Sequence, residues 1–208
     1  MTTLPPMAAP QTMHRLTEAE YLAMERAAET KSEFFDGEMF AMAGGTRRHS
    51  KICTNITAEF TNKLRDHRCQ PFNADLRVKI EATGLYTYPD LSVVCGEDHH
   101  VDEELDTLTN PTVIVEVLSD STEGYDRGKK FEHYRQVPSL QEYILVSQSG
   151  PRLEQFLRQA NNEWLLREAF GLNATLTLPS LEITISLSEV FRNVKFGPEP
   201  GPAEPLRG

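Results

Sequence analysis

The sequence predicts a single domain of the α/β or α+β class, in which helices flank a β-sheet of mixed direction. Two apolar runs, at 90–95 and 112–118, are typical of strands that are covered on both faces. Helical patterns precede these runs and follow them, and further strand-like segments come after, which is the order expected of this class. A length of 208 residues suits one domain.

The first expected elements are a helix and a hairpin. Thr17 and Glu20 form a capping box, which predicts a helix that continues to residue 28. The segment 33–42 then reads as two short strands joined at Asp36-Gly37, a dipeptide that favours a two-residue turn.

The remaining elements follow from periodicity. A helix is expected over 48–66, because apolar residues recur there at every fourth position. A second is expected over 124–137, and a short one over 187–192. The expected strands are 74–81, 90–95, 112–118, 140–147, 152–158, 163–169 and 181–185.

Composition limits the functional classes. The formal net charge is −10, which argues against a broad cationic surface for nucleic acid but leaves room for a local basic groove. No apolar run is long enough to span a membrane, and the N-terminus lacks a secretion signal. Three scattered cysteines are expected to be free thiols in a reducing cytoplasm. The domain is expected over 13–196, between flexible tails at 1–12 and 197–208.

One charged residue stands inside an apolar strand. Glu116 lies within the run 112–118, where an ionised carboxylate needs a cation, hydrogen bonds or a metal. Asp90 opens the other apolar run. Two acids on neighbouring strands would form a divalent-metal site, and a nearby cation would orient water or stabilise developing charge.

The same residues resemble a known superfamily. Pro89-Asp90 followed by the strand that ends Glu116-Val117-Leu118 is similar to the PD-(D/E)xK nucleases, although Leu118 stands where their signature has lysine. The runs 33–38, 110–122, 126–134 and 137–143, with a helix opening near His49, resemble one bacterial branch of restriction-type endonucleases called Uma. This resemblance covers roughly residues 14–190.

The resemblance implies a restriction-endonuclease-like fold and a Mg²⁺-dependent DNA endonuclease, with Mn²⁺ as an alternative ion and a homodimer as a frequent assembly. Asp90, Glu116 and the backbone carbonyl of Val117 would bind the metal. In that branch the lysine comes from the following helix, so Lys130 is expected to act in place of residue 118, in preference to Lys129.

Other interpretations remain open on the sequence. Glu116 could pair with a buried arginine such as Arg127. Glu33 could be a further catalytic acid or a surface charge of the hairpin, and His49 could contact a phosphate or lie in solvent. The chain could also be an inactive nuclease-fold binding or scaffold protein, or could act on another phosphorylated substrate.

Overall fold

The computed structural model describes residues 15–197. Its helical elements are Glu18–Ala27 (α1), Arg47–Lys63 (α2), Glu123–Tyr125 (α3), a π-helical segment Asp126–Lys130, Phe131–Tyr134 (α4) and Leu187–Val190 (α5). Its strands are Ser32–Phe35 (β1), Glu38–Ala41 (β2), Cys69–Asn73 (β3), Arg77–Ile80 (β4), Leu85–Thr87 (β5), Leu91–Cys95 (β6), Thr107–Leu108 (β7), Val113–Val117 (β8), Glu142–Val146 (β9), Arg152–Arg158 (β10), Trp164–Phe170 (β11), Thr175–Leu178 (β12) and Ile183–Ser186 (β13).

Three sheets are present among the described residues. The six-stranded sheet has the order β11-β10-β9-β8-β6-β3, and the five-stranded sheet the order β2-β1-β5-β4-β7. Strands β8 and β9 are parallel, joined by a crossover through the π-helical segment, whereas the other pairs in the six-stranded sheet are antiparallel. A mixed sheet with flanking helices in one domain is the predicted fold class, which is confirmed.

The capping residues of α1 and the turn residues of the β1–β2 hairpin predicted these elements correctly. Thr17 caps α1, and its hydroxyl and backbone exchange hydrogen bonds with Glu20 as a capping box does. The hairpin turns at Asp36 and Gly37, whose φ angles of 49° and 80° are those that a turn with two left-handed residues requires.

Two apolar clusters cover the faces of the six-stranded sheet. One joins α2, α5 and the β12–β13 hairpin to side chains such as Val115 and Ile144. The other joins the opposite face, including Ile114 and Leu118, to α4 and the five-stranded sheet. Because successive side chains of a strand alternate between faces, Glu116 shares the second face with Ile114 and Leu118.

The helix expected over 124–137 is not a uniform α-helix. It contains the π-helical segment Asp126–Lys130 between α3 and α4. The wider turn buries the side chains of both Asp126 and Lys130. Such segments often occur at functional sites, where they redirect side chains.

Other differences arise from long-range pairing. Strands β3, β5, β7 and β12 were not predicted, because they are short and are defined by the neighbours with which they pair. The expectation of three free thiols was wrong. Cys69 and Cys95 are direct cross-strand partners and form a disulfide, leaving Cys53 free. The thiol argument for a reducing compartment therefore no longer stands.

In residues 15–197, no helix combines the length and apolar character needed to cross a lipid bilayer. The tails predicted at 1–12 and 197–208 lie outside the described residues, apart from Gly197.

Candidate active site

The pairing of β6 with β8 brings Asp90 and Glu116 together. Leu91 lies opposite Val115 in this antiparallel pair, so the register continued by one residue places Asp90 opposite Glu116. Residues opposite each other in an antiparallel pair project from the same face, with Cβ atoms about 5 Å apart. Both acids line one cavity of about 430 Å³.

Glu116 is buried, and one of its carboxylate oxygens contacts both Lys130 and Tyr134. The Lys130 Nζ lies 2.9 Å from Glu116 Oε1, and the Tyr134 hydroxyl donates to the same oxygen at 2.7 Å. Burial raises the pKa of Glu116 to about 8, with Asp126 and Asp90 adding to the increase and Lys130 opposing it. Because burial destabilises the ionised form of Glu116, a second cation beside it, in addition to Lys130, would be favourable.

Lys130 is a buried cation among carboxylates. Its Nζ also lies 3.3 Å from Glu33 Oε1 and 3.7 Å from Asp126 Oδ1. Burial by itself would lower the pKa of Lys130, but the surrounding carboxylates outweigh it and raise the pKa well above its usual value. The ammonium group is therefore charged across the physiological pH range.

Lys129 points the other way. Its side chain is 73% exposed, against 7% for Lys130, and its contact is with Glu132 on the surface. The structure thus brings Lys130, and not Lys129, to the two acids.

Glu33 belongs to the cluster rather than to the surface of the hairpin. Strand β1 carries it into the cavity, where the Thr87 hydroxyl donates to Glu33 Oε1, the oxygen that faces Lys130. Only 14% of its side chain is exposed. The structure thus brings Glu33 to the cavity that Asp90 and Glu116 also line.

Asp90 is held by a backbone donor and by a histidine. The Val117 N–H donates to Asp90 Oδ2 at 2.7 Å, and His49 Nε2 lies 3.3 Å from the same oxygen. Burial opposes ionisation of Asp90, but His49 and the Val117 N–H outweigh it and lower the pKa. His49 therefore contacts an acid of the cavity, with 20% of its side chain exposed, and Asp90 raises the pKa of His49 in return.

The charges at the cavity are unbalanced. Four carboxylates, those of Glu33, Asp90, Glu116 and Asp126, line it together with one lysine and one histidine. Several carboxylate oxygens at one cavity are the donor set that Mg²⁺ or Mn²⁺ prefers. The residues present therefore fit a divalent metal between Asp90 and Glu116, and Val117, whose N–H bonds Asp90, also lines the cavity.

Two further expectations can be compared with this geometry. Arg127 does not pair with Glu116, since its guanidinium contacts Glu154 and Glu123. Leu118 is buried in the apolar cluster beside β8, where a lysine would lose that packing. The cation that contacts Glu116 is instead Lys130, which lies in the π-helical segment between β8 and β9.

Sequence reasoning missed three residues of the site. Tyr134 was expected to share the packed helix face with Lys130, which lies four residues before it, but the contact of its hydroxyl with Glu116 was not predicted. Asp126 requires the π-helical turn, which no sequence pattern revealed. Cys53 lies 3.4 Å from His49 Nδ1, and the i,i+4 spacing of the two residues was a usable signal.

The family model "Uma2: Putative restriction endonuclease" matches residues 18–188. The chain belongs to the Uma2 family. The family's description supports a nuclease, as the acid and lysine cluster does.

Two relatives of the Uma2 chain come from Synechocystis sp. (strain ATCC 27184 / PCC 6803 / Kazusa). The uncharacterised protein slr1290 is 36% identical over 182 residues, covering 88% of this chain and 94% of its own. The uncharacterised protein sll1609 is 37% identical over 168 residues, which cover 81% of this chain and 95% of that protein.

A solved structure shares the fold of this Uma2 chain. It is described as a putative nuclease belonging to DUF820 from Anabaena variabilis. The TM-score is 0.68 at 18% identity, with 83% of this chain and 96% of that chain covered. The restriction-endonuclease-like fold expected from the sequence is confirmed.

Proposed function

We propose that this protein is a metal-dependent endonuclease that hydrolyses phosphodiester bonds in DNA, with Mg²⁺ as the cofactor and Mn²⁺ able to replace it. The observation that carries the proposal is the position of Lys130, buried between Glu116 and Glu33 in the cavity that Asp90 also lines. Two acids, a lysine and room for a phosphate are what such hydrolysis needs. A homodimer that cuts both strands remains a prediction.

Asp90, Glu116 and the carbonyl of Val117 would hold the metal. When bound, the ion neutralises phosphate charge and lowers the pKa of an attacking water. The metal would also compensate the buried charge of Glu116, because burial raises the pKa of Glu116 despite the opposing effect of Lys130.

Lys130 would orient the attacking water or stabilise charge that develops on the phosphate. Its ammonium group needs no reorganisation, because three carboxylates already fix its position. Tyr134 would hold Glu116 in place through its hydroxyl, and Thr87 would do the same for Glu33. Glu33 would act as a further acid close to the water.

A basic surface beside the cavity supports a nucleic-acid substrate. The start of α2 contributes Thr46 and His49 to the cavity and Arg47 and Lys51 to an adjoining depression, which Lys195 also lines. This local positive surface contrasts with the net charge of −10. Cations next to an acidic metal site would bind the phosphates on either side of the bond to be cut.

Nicking of supercoiled plasmid tests the proposal. The wild type should cut with Mg²⁺ or Mn²⁺ and not with chelator, and Asp90→Asn and Glu116→Gln should each lower the rate by about 100-fold or more, since each removes charge from the metal site. Both variants should remain folded by circular dichroism. Their controls are Asp98→Asn and Glu104→Gln, which change the same groups on an exposed loop.

Two results would contradict the proposal. One is a wild type that cuts no DNA with either metal, and the other is unchanged cutting by the two site variants. A wild type that binds DNA without cutting it would favour the alternative of an inactive nuclease-fold binding protein.

The basic surface gives a separate prediction. The double variant Arg47→Ala/Lys51→Ala should bind DNA more weakly at every sequence, and the slope of log affinity against log salt should fall by about 2, because two phosphate contacts are lost. Fluorescence anisotropy at several salt concentrations, with Ca²⁺ in place of Mg²⁺, measures this slope. Lys63→Ala/Arg65→Ala, which removes the same charge at the other end of α2, should leave the slope unchanged.

A further inference from the structure

A second cluster of metal-binding side chains lies beside the proposed magnesium site. His49 and Cys53 are one turn apart on α2 and project from the same side of the helix. Cys53 Sγ lies 3.4 Å from His49 Nδ1 and 4.0 Å from Nε2, and His49 Nε2 lies 3.3 Å from Asp90 Oδ2. One ligand atom from each residue falls within 4.8 Å of the other two.

We propose that His49, Cys53 and Asp90 bind a thiophilic divalent cation of the zinc class, with water from the cavity as the fourth ligand. Tetrahedral zinc, with bonds of about 2.0–2.3 Å, separates a nitrogen and an oxygen ligand by about 3.4 Å and a sulfur and a nitrogen ligand by about 3.6 Å. The separations of 3.3 Å and 4.0 Å measured from His49 Nε2 are close to these values. Small rotations of the side chains would bring all three ligands onto one ion.

The donor set distinguishes this site from the magnesium site. Imidazole and thiolate favour Zn²⁺ over Mg²⁺, whereas the pair formed by Asp90 and Glu116 offers only oxygen. All three residues are partly buried, and His49 and Asp90 line the cavity. Solvent therefore reaches the position where an open fourth ligand would sit, as in zinc sites that are not purely structural.

The two sites share Asp90, and this sharing has a consequence for activity. An ion held by His49 and Cys53 would draw Asp90 away from the magnesium site, so zinc would inhibit Mg²⁺-supported cleavage. That consequence rests on the proposed function, whereas the binding of zinc does not.

Titration with Co²⁺ tests the site directly. Co²⁺ takes the place of Zn²⁺ in tetrahedral sites and shows an intense near-ultraviolet charge-transfer band when a thiolate binds it. The full-length protein, purified without reductant and free of nucleic acid and Mg²⁺, should show this band at one equivalent of Co²⁺, and Zn²⁺ should abolish it. The chain has three cysteines, of which Cys69 and Cys95 form the disulfide, so the band would report Cys53.

Variants of Cys53 and His49 test two of the proposed ligands, and Glu116→Gln is the control. Cys53→Ser should lose the band, and Cys53→Ser and His49→Gln should each weaken Zn²⁺ binding by more than about 100-fold, since losing an outer-shell partner alone costs about 10–100-fold. Glu116→Gln should keep the band, because Glu116 is not a ligand of the proposed zinc site. Competition with a chromophoric zinc chelator measures these affinities.

The wild type decides the question even if a variant fails to fold. The absence of a thiolate band in the wild type, or failure of Zn²⁺ to displace Co²⁺, would overturn the proposal, as would a band that persists in folded Cys53→Ser. Cleavage is not measured in these experiments, so zinc binding and nuclease activity can each fail without the other.

Discussion

Replacing Lys130 with methionine should lower the rate of DNA cleavage by roughly 100- to 1,000-fold, the effect typical of removing one preorganised group that stabilises a transition state. The ammonium group of Lys130 is the cation that faces Glu116 and Glu33. Methionine keeps much of the length of the side chain but cannot orient water or carry charge. Single-turnover cleavage with saturating Mg²⁺ separates this loss from weaker binding of DNA.

Lys129→Met is the matched control. It removes the same charge from the neighbouring residue, but Lys129 is 73% exposed and contacts only Glu132 among the described ion pairs. Its cleavage rate should stay within about twofold of the wild type, as expected of an exposed group remote from the chemistry. Equal losses in both variants, or an active Lys130→Met protein, would remove Lys130 from the proposed mechanism.

The folded state should tolerate Lys130→Met, although at reduced stability. Removing one partner of a buried ion pair leaves the other uncompensated, which commonly costs about 3–5 kcal/mol. Glu116 can avoid part of this cost, since a pKa already raised to about 8 allows it to take up a proton at neutral pH. Circular dichroism and thermal unfolding of Lys130→Met establish that lost cleavage is not lost folding.

A large loss of stability is also expected for Ile144→Ala, which lies outside the proposed active site. Ile144 is fully buried in β9, paired with Val115 on one side and Gln155 on the other, at the centre of the six-stranded sheet. Truncation removes apolar burial and leaves a cavity, so the free energy of unfolding should fall by about 2–5 kcal/mol. Domains of this kind are stable by only about 5–15 kcal/mol, so the loss is a large share.

Urea unfolding followed by fluorescence and circular dichroism measures this change, with the same m-value expected for both proteins. Leu165→Ala on β11 is the control, because the Leu165 side chain is 44% exposed and its loss should change stability by less than about 0.5 kcal/mol. If Ile144→Ala were as stable as the control, β9 would not lie at the centre of the core.

Several features of the site could be predicted from local sequence. Asp90 and Glu116 were recognisable because a charge in an apolar strand needs compensation, and period-two geometry places Glu116 on the same face as Ile114 and Leu118. The resemblance to the nuclease family identified Lys130 as the cation in preference to Lys129. The capping box at Thr17 and the turn at Asp36-Gly37 depend on neighbouring residues only, and both are present in the structure.

Other features required the tertiary structure. The register of β3 and β6 places Cys69 opposite Cys95, which allows the disulfide to form. Because the two cysteines are 26 residues apart in the chain, no local sequence pattern indicates that register. The position of Glu33 between Thr87 and Lys130 depends on the sheet that carries β1.

The sequence by itself predicted the fold class and the two acids, because periodicity, capping and the cost of a buried charge act within short stretches of chain. Its resemblance to the nuclease family, and not these local effects, implied a lysine from the helix after β8. The tertiary structure decided which groups share the cavity. Its π-helical turn buries Asp126 with Lys130, and its packing of α2 brings His49 and Cys53 to Asp90. The contacts of His49 and Cys53 with Asp90 join segments far apart in the chain, and the register of strands and the packing of helices, rather than local preference, set their geometry.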